Sequence, residues 1–519
     1  MQRIARLIAF LPVLMLNACM VVGPDFKEPE VTWLKEWRSD LYGQIGNAKQ
    51  QAKVDLRFWW RLFNDPVLNN LIQTARRENP TLRVAGLRIL ESRALLGIAG
   101  SELYPQLQLS GALTRVNQQR NGGQIVDQNQ RLTKYQATFG DAAWELDFWG
   151  RFRRGIESAN ATFFASIANQ QDVQVLLSAQ VADLYFAYRT TLLRIGVAQR
   201  NAAIQKRSFE ITEKIYQSGQ GSELDLQQAK TQYLTTLSTI PDLEATLIRI
   251  HNALGALLGR APGDVPELFS VKGPLPEMDP VVIAGIPAQL LLRRPDIRRA
   301  ALEIAAQSAQ IGIAEADFYP TITLLGSIGW FANSLAASPE TLGIAVGPSL
   351  RWNIFSFGRI RSNVRLQDAR LQQTIGVFHN SVLQAAREID NAAISVVKAR
   401  ERGRILSDSL RAAERSRQLA TTRYIEGYAN FQRVLTAQRV LFAQAELLVV
   451  NRSAEISAII ALYTAIGGGW VEMSVEQLYK KSVRDVMRTR TNWGDLLSAP
   501  LPASADGPLG RRGTENRNE

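Results

Sequence analysis

The chain has 519 residues, 46% hydrophobic and 21% charged, which is ample for a folded core and excludes a disordered polyelectrolyte. Its formal charge of +12 would suit a nucleic-acid binder, but the Lys and Arg are spread along helical stretches among Glu, Asp and Gln. They read as solvated helix faces, which argues against nucleic acid as a partner.

The chain opens with Arg3 and Arg6 ahead of an apolar run at 7–16, too short to span a bilayer, so 1–18 reads as a secretory signal peptide. Leu16-Asn17-Ala18-Cys19 resembles a bacterial lipobox, which implies lipid on Cys19 and a lipidated amino-terminal segment over 19–65. The alternative is a plain signal peptide followed by an incidental thiol. Cys19 is the only cysteine, so no intramolecular disulfide is possible, and an exported protein gains nothing from a lone exposed thiol; both points favour the lipobox.

Two copies of one pattern follow, a first repeat over 66–260 and a second over 287–470. Asn79-Pro80 returns 215 residues later as Arg294-Pro295, and Tyr104/Tyr319, Pro105/Pro320 and Gly111/Gly326 keep that offset. From Trp144/Trp352 through Gly150/Gly358 and Tyr216/Tyr424 to Ala229/Ala437 the offset is 208, the difference lying in a polar loop at 117–123. Each copy reads helix, strand, hairpin, strand, long helix, sharp turn, shorter helix.

In the first copy a helix from Thr81 stops at Tyr104-Pro105, and a strand with Leu107, Leu109 and Leu113 on one side begins. Its partner, over about 135–147, has Tyr135, Ala137 and Phe139 at odd positions but Trp144 and Leu146 at even ones, which predicts a bulge near Gly140-Asp141. A helix over 149–217 and another over 222–258, kinked at Pro241, complete the copy. The Pro- and Gly-rich linker 261–286 is expected to hold little regular structure.

The second copy's strands are expected at 321–330 and 342–355. Leu342, Ile344, Val346, Pro348, Leu350, Trp352 and Ile354 alternate with small or polar residues, the signature of a strand with one greasy face. At about 3.3 Å per residue such a tilted strand crosses the hydrocarbon core of a bilayer. Directly after Gly358 the period changes: Leu371, Ile375, Phe378, Val382, Ala385, Ile389, Ala392, Val396 and Ala399 form an a/d seam. That helix continues to about Tyr424, on the order of 100 Å at 1.5 Å per residue. The remainder, 471–519, is a carboxy-terminal extension expected to be disordered beyond about Arg490.

Four membrane strands leave two open edges, and unpaired amides in lipid cost several kcal/mol each, so several chains must share one barrel. No site for chemistry emerges. His251 and His379 lack Cys or His neighbours for a metal set, and Gly467-Gly468-Gly469 lacks the Lys-Ser/Thr of a phosphate loop. Neither a catalytic residue nor a cofactor is expected. A passive exit duct for small molecules, the same architecture serving protein secretion, and a lipid-anchored coiled-coil scaffold remain; the greasy strands argue against the scaffold.

The segments 143–151 (AWELDFWGR), 286–298 (IPAQLLLRRPDIR) and 466–470 (IGGGW) resemble signatures of the outer membrane factor family, the TolC-like channels of tripartite efflux pumps, here of the NodT lipoprotein branch. The resemblance spans Cys19 to about Trp470. It implies a mixed α and β, TolC-like fold: four transmembrane strands and long coiled-coil helices per protomer. Three protomers would form a 12-stranded β-barrel continued by a periplasmic α-helical barrel. The implied partners are two further copies, outer-membrane lipid, a periplasmic adaptor and a proton-driven inner-membrane transporter. Met20 after the cysteine implies sorting to the outer membrane.

The turns at the far ends of the longest helices are the expected adaptor-docking tips: Gly219, Gln220, Gly221 and Ser222 in the first copy, Gly427, Tyr428, Ala429 and Asn430 in the second. The family's closed tip often carries aspartates just past the second turn, positions held here by Arg433 and Thr436. Asp225, at the matching place in the first copy, is the remaining carboxylate of the expected pore constriction.

Overall fold

The computed structural model describes residues 21–35, 42, 55–109, 116–118, 132–270, 273–276, 291–332 and 341–503. Three helices start on the same device, a proline at the first turn, where its missing N–H costs nothing. They are α1 (Pro66–Glu78), α2 (Pro80–Ser101) and α5 (Pro295–Ala316). Asp65 caps α1 by accepting from the amides of Val67 (2.9 Å) and Leu68 (3.1 Å), and Asn79 caps α2 by accepting from Leu82 (2.8 Å).

The long helices are α3 (Arg151–Gln217) and α6 (Arg359–Ile425), each of 67 residues, or about 100 Å at 1.5 Å per residue. Both begin at a left-handed glycine, Gly150 at φ 77° and Gly358 at φ 84°. Each turns back into a helix of 35 residues, α4 (Glu223–Leu257) and α7 (Phe431–Ala465). Helix α4 continues across Pro241 as one element. The expected seam of α6 is the packed face: Phe378, Val382, Ala385, Ile389, Ala392 and Val396 are buried, with Leu371 and Ile375 packed against them.

The strands are β1 (Gln106–Gln108), β2 (Val116–Gln118), β3 (Leu132–Leu146), β4 (Thr321–Ala332) and β5 (Thr341–Arg351), all pairing antiparallel. The order is β1-β3-β4-β5, and β1 and β2 pair with successive stretches of β3 as one strand position, so a copy offers four strand positions with open edges at β5 and on the β1/β2 side. The predicted bulge is present: register shifts between Thr138 and Gly140, which switches the parity of the apolar side chains. Across β4 and β5, Ile322 faces Leu350, Leu324 faces Pro348, Ile328 faces Ile344 and Trp330 faces Leu342, one continuous apolar face.

Two expectations need correction, for the end of β5 and for the carboxy-terminal tail; the linker and the segment ahead of α1 each hold a short 3-10 helix besides. Strand β5 ends at Arg351, opposite Thr321 where β4 begins; residues 352–355 have no strand beside them in one copy. The linker's helix is Pro266–Ser270, with Leu268 buried. The one ahead of α1 is Leu56–Phe63, whose Trp59, Trp60 and Phe63 enter the main core, with Trp59 stacked on Tyr463 at 5.7 Å. The chain past Arg490 is ordered through Ala503, beyond α8 (Val475–Leu478) and α9 (Lys481–Arg490). Leu497, fully buried, and the partly buried Trp493 and Leu501 pack with Leu90 and Phe163, so burial overrides a polar composition.

Candidate functional site

Among the described residues no helix is long and apolar enough to cross a membrane; the sheet carries the continuous apolar face of β4 and β5. Its base carries an aromatic rim of the kind that sits at a membrane interface. Trp149 stacks on Tyr319 at 4.5 Å and donates to Pro320 O at 2.8 Å. Trp144 and Trp352 donate to Leu103 O and Phe318 O, each at 2.9 Å.

Cys19 lies outside the described residues. The chain three positions later is fixed at this rim: Val22 donates its amide to Trp149 O at 3.1 Å. Arg154, buried on α3, donates to Val22 O (3.1 Å), Gly23 O (2.9 Å) and Asp25 (2.9 Å) and pairs with Glu157 (2.7 Å). Gly23 approaches Gly312 so closely that a Cβ would lie 2.3 Å from its Cα. Sequence reasoning missed this dock, because Arg154 reads as one more helix-face charge.

At the opposite end the two tips are built alike. Gly219 (φ 76°) and Gly427 (φ 81°) donate to Tyr216 O and Tyr424 O, and the next amides, Gln220 and Tyr428, reach Ile215 O and Arg423 O. A left-handed glycine closing the helix in this way satisfies the last carbonyls. Gly219, Gln220, Ser222, Gly427, Tyr428 and Asn430 are exposed, while Gly221 and Ala429 are half-buried. Beneath them Phe431, Val434, Leu435 and Ala229 form a small core with Phe209 and Tyr424. Burial raises the Tyr424 hydroxyl, and the Asp225 carboxylate adds to the rise.

Arg433 and Thr436 are both exposed and line a groove of about 760 Å³ between α6 and α7. Asp225, half-buried, sits in the first turn of α4, a different element. No ion pair joins Arg433 to Glu426 among the described residues.

A larger groove, of about 1110 Å³, runs between α3, α6 and α7 and is lined by Asp172, Asp183, Arg387, Lys398 and Arg402. Burial, then the neighbouring Asp296, pushes Asp172 up to about 6 against the pull of Arg299 and Arg294. Burial also raises Asp183, which accepts from Ser457 Oγ at 3.1 Å. Charged groups of both signs sit there among apolar residues such as Val175, Leu176 and Ile460. Among the described residues no group of three or more His, Cys, Asp or Glu could hold a metal ion. His251 instead packs near Tyr188 and Phe269, and His379 is exposed.

A greasy-faced sheet with open edges, joined at an aromatic rim to helices about 100 Å long, defines a subunit of a TolC-like outer-membrane channel. The chain belongs to the outer membrane efflux protein family, whose profile matches residues 71–260 and 286–468. It is 31% identical to the solvent efflux pump outer membrane protein SrpC of Pseudomonas putida, covering 88% of this chain and 97% of that one. It is 29% identical to the probable outer membrane lipoprotein SilC of Salmonella typhimurium, covering 90% and 99%. The outer-membrane channel OprN superposes with a TM-score of 0.80 at 30% identity, over 86% of this chain and 99% of that one. The protein is accordingly an outer-membrane channel component of an efflux system.

Proposed function

We propose that three copies of this chain close into one 12-stranded barrel and one helical barrel, a passive duct for small toxic organic compounds. The observation that carries this is the sheet with two open edges, which lipid does not tolerate in a single copy. A proton-driven inner-membrane transporter supplies the energy, and a periplasmic adaptor meets the tips at Gly219–Ser222 and Gly427–Asn430. Lipid on Cys19 anchors the chain beside the rim where Val22 is held. Asp225, Arg433 and Thr436 line the constriction. Relatives named for solvent efflux favour small molecules over secreted protein as cargo.

The test is complementation. In cells that lack their own exit channel but keep the cognate transporter and adaptor, this chain should restore resistance to organic toxins. Gly427→Trp should lose resistance at normal trimer yield. An added Cβ there meets nothing within 4 Å, so the fold accepts the side chain apart from the strain of a positive φ. Full resistance with that variant would remove the docking role.

A further inference from the structure

The feet of α3 and α6 share one backbone plan but differ in charge. Between 145 and 159 three carboxylates match three arginines: Arg151 pairs with Glu145 (3.8 Å), Arg153 with Asp147 (3.1 Å) and Arg154 with Glu157 (2.7 Å). Displaced by 208, those carboxylates become Asn353, Phe355 and Arg365, while Arg151 and Arg153 recur as Arg359 and Arg361. The foot of α6 therefore holds three arginines, all exposed, and no carboxylate. Among the described residues none of the three forms an ion pair, not even with Asp368, the next acid along α6.

An anion is built into the first foot and missing from the second. Asp147 accepts from the amides of Phe152 (3.1 Å) and Arg153 (3.0 Å) and from Arg153 Nε (3.1 Å). Its equivalent, Phe355, is 86% exposed and has no oxygen to offer, so Arg361 keeps the donors of Arg153 without the acceptor. The first foot also receives Asp25 from the amino-terminal segment, which Arg154 holds at 2.9 Å; the equivalent of Arg154 is Ser362, which carries no charge for such a segment.

We propose that Arg359, Arg361 and Arg365 bind anionic phospholipid headgroups of the leaflet that faces the periplasm, lipid phosphate standing where the first repeat has its own carboxylates.

Placement favours a lipid over a soluble anion. Arg359 opens α6 directly below the aromatic rim, and Arg365 lies about 9 Å further along at 1.5 Å per residue. An arginine stem can extend from there to the headgroup layer while its apolar part covers the helix. The side of the helix is also marked. Glu157, the equivalent of Arg365, sits against Arg154 and so beside the segment that leads back to Cys19. On the anchor reading above, that side is turned to the membrane and away from the lumen. Closing the proposed ring leaves these positions reachable: Arg151, Arg153 and Glu157 keep 43%, 36% and 38% of their side-chain surface although α5 and β4 already pack on α3 and β3.

Native mass spectrometry of the full-length channel in detergent tests the site, with phosphatidylglycerol and phosphatidylcholine offered in equal amount. Each arginine at a membrane surface is worth about a fivefold preference for anionic lipid, so phosphatidylglycerol should dominate the retained lipid. Arg359→Gln/Arg361→Gln/Arg365→Gln should lose most of that preference. Arg404→Gln/Arg411→Gln/Arg415→Gln, which removes as many exposed arginines far down α6, should keep it. Phe355→Asp removes no arginine but gives Arg361 the carboxylate that Arg153 has, and should lower phosphatidylglycerol retention several-fold; it decides the matter if the triple variant fails to accumulate. Equal retention of the two lipids, or unchanged retention in the Arg359/Arg361/Arg365 variant, overturns the proposal, and loss of the preference in excess inorganic phosphate reassigns the arginines to a soluble anion. The same spectra report the number of chains, and labelling of Cys19 is read separately, so the ring and the anchor can each fail without this site failing.

Discussion

The Asp65 carboxylate ties three distant segments together, so Asp65→Ala is the most informative single change in the periplasmic core. Asp65 caps α1 through the amides of Val67 and Leu68 and accepts from Tyr185 Oη at 2.6 Å and Arg189 Nη1 at 2.7 Å. Arg189 also donates to Pro274 O in the linker. Loss of the cap costs about 1 kcal/mol. Stranding the Arg189 guanidinium, only 7% exposed, costs a further ~3–5 kcal/mol, less what its bond to Pro274 retains. A combined loss of about 4 kcal/mol lowers the protection of amides in α1 and the middle of α3 by about a thousandfold. Hydrogen exchange on the detergent-solubilised channel reads this directly. Asp65→Ala/Arg189→Leu should recover at least half of the protection, since it removes the stranded charge along with its partner. A loss below tenfold, or a double variant no better than the single, would refute the reasoning.

Cys19→Ala should abolish metabolic labelling by fatty acid and leave the precursor uncleaved by the lipoprotein peptidase; normal labelling would end the anchor reading. Trimers of that variant should still form, because the sheet holds the chain in the membrane. Arg433→Asp should shift reversal potentials in planar bilayers under a salt gradient toward cation selectivity. An unchanged potential would place Arg433 away from the permeation path.

Much of the fold was legible because two periods carry it. The change from alternation to an a/d seam at Gly358 locates the join of β5 and α6 within a few residues, and the parity switch near Gly140 gives the bulge. What stayed hidden depends on partners far apart in sequence. Asp65 and Arg189 are separated by 124 positions, and each alone looks like an ordinary surface charge. The carboxy-terminal strap was misread for a related reason. Its composition is polar, yet Leu497 needs one slot between α2 and α3 to become fully buried. Strand β5 was read past its end because an apolar alternation records where a strand can pair, and a single copy offers residues 352–354 no partner.

The same comparison of repeats separates residues that build the fold from residues that tune it. Positions that match across the offset of 208, such as Gly150/Gly358 and Gly219/Gly427, are backbone requirements, since each pair takes a positive φ. Asp225 and Arg433 also match in position but carry opposite charge, although both follow a tip by the same number of residues. Neither side chain is needed to close its turn, because backbone bonds and the left-handed glycines already do so. In the proposed ring, three carboxylates and three guanidiniums therefore alternate at one level. Such a ring has no net charge there, and opposite neighbours cancel much of each other's field in a narrow throat. Discrimination by charge is then weak at the tip, as suits an exit whose cargo is chosen by the transporter that loads it.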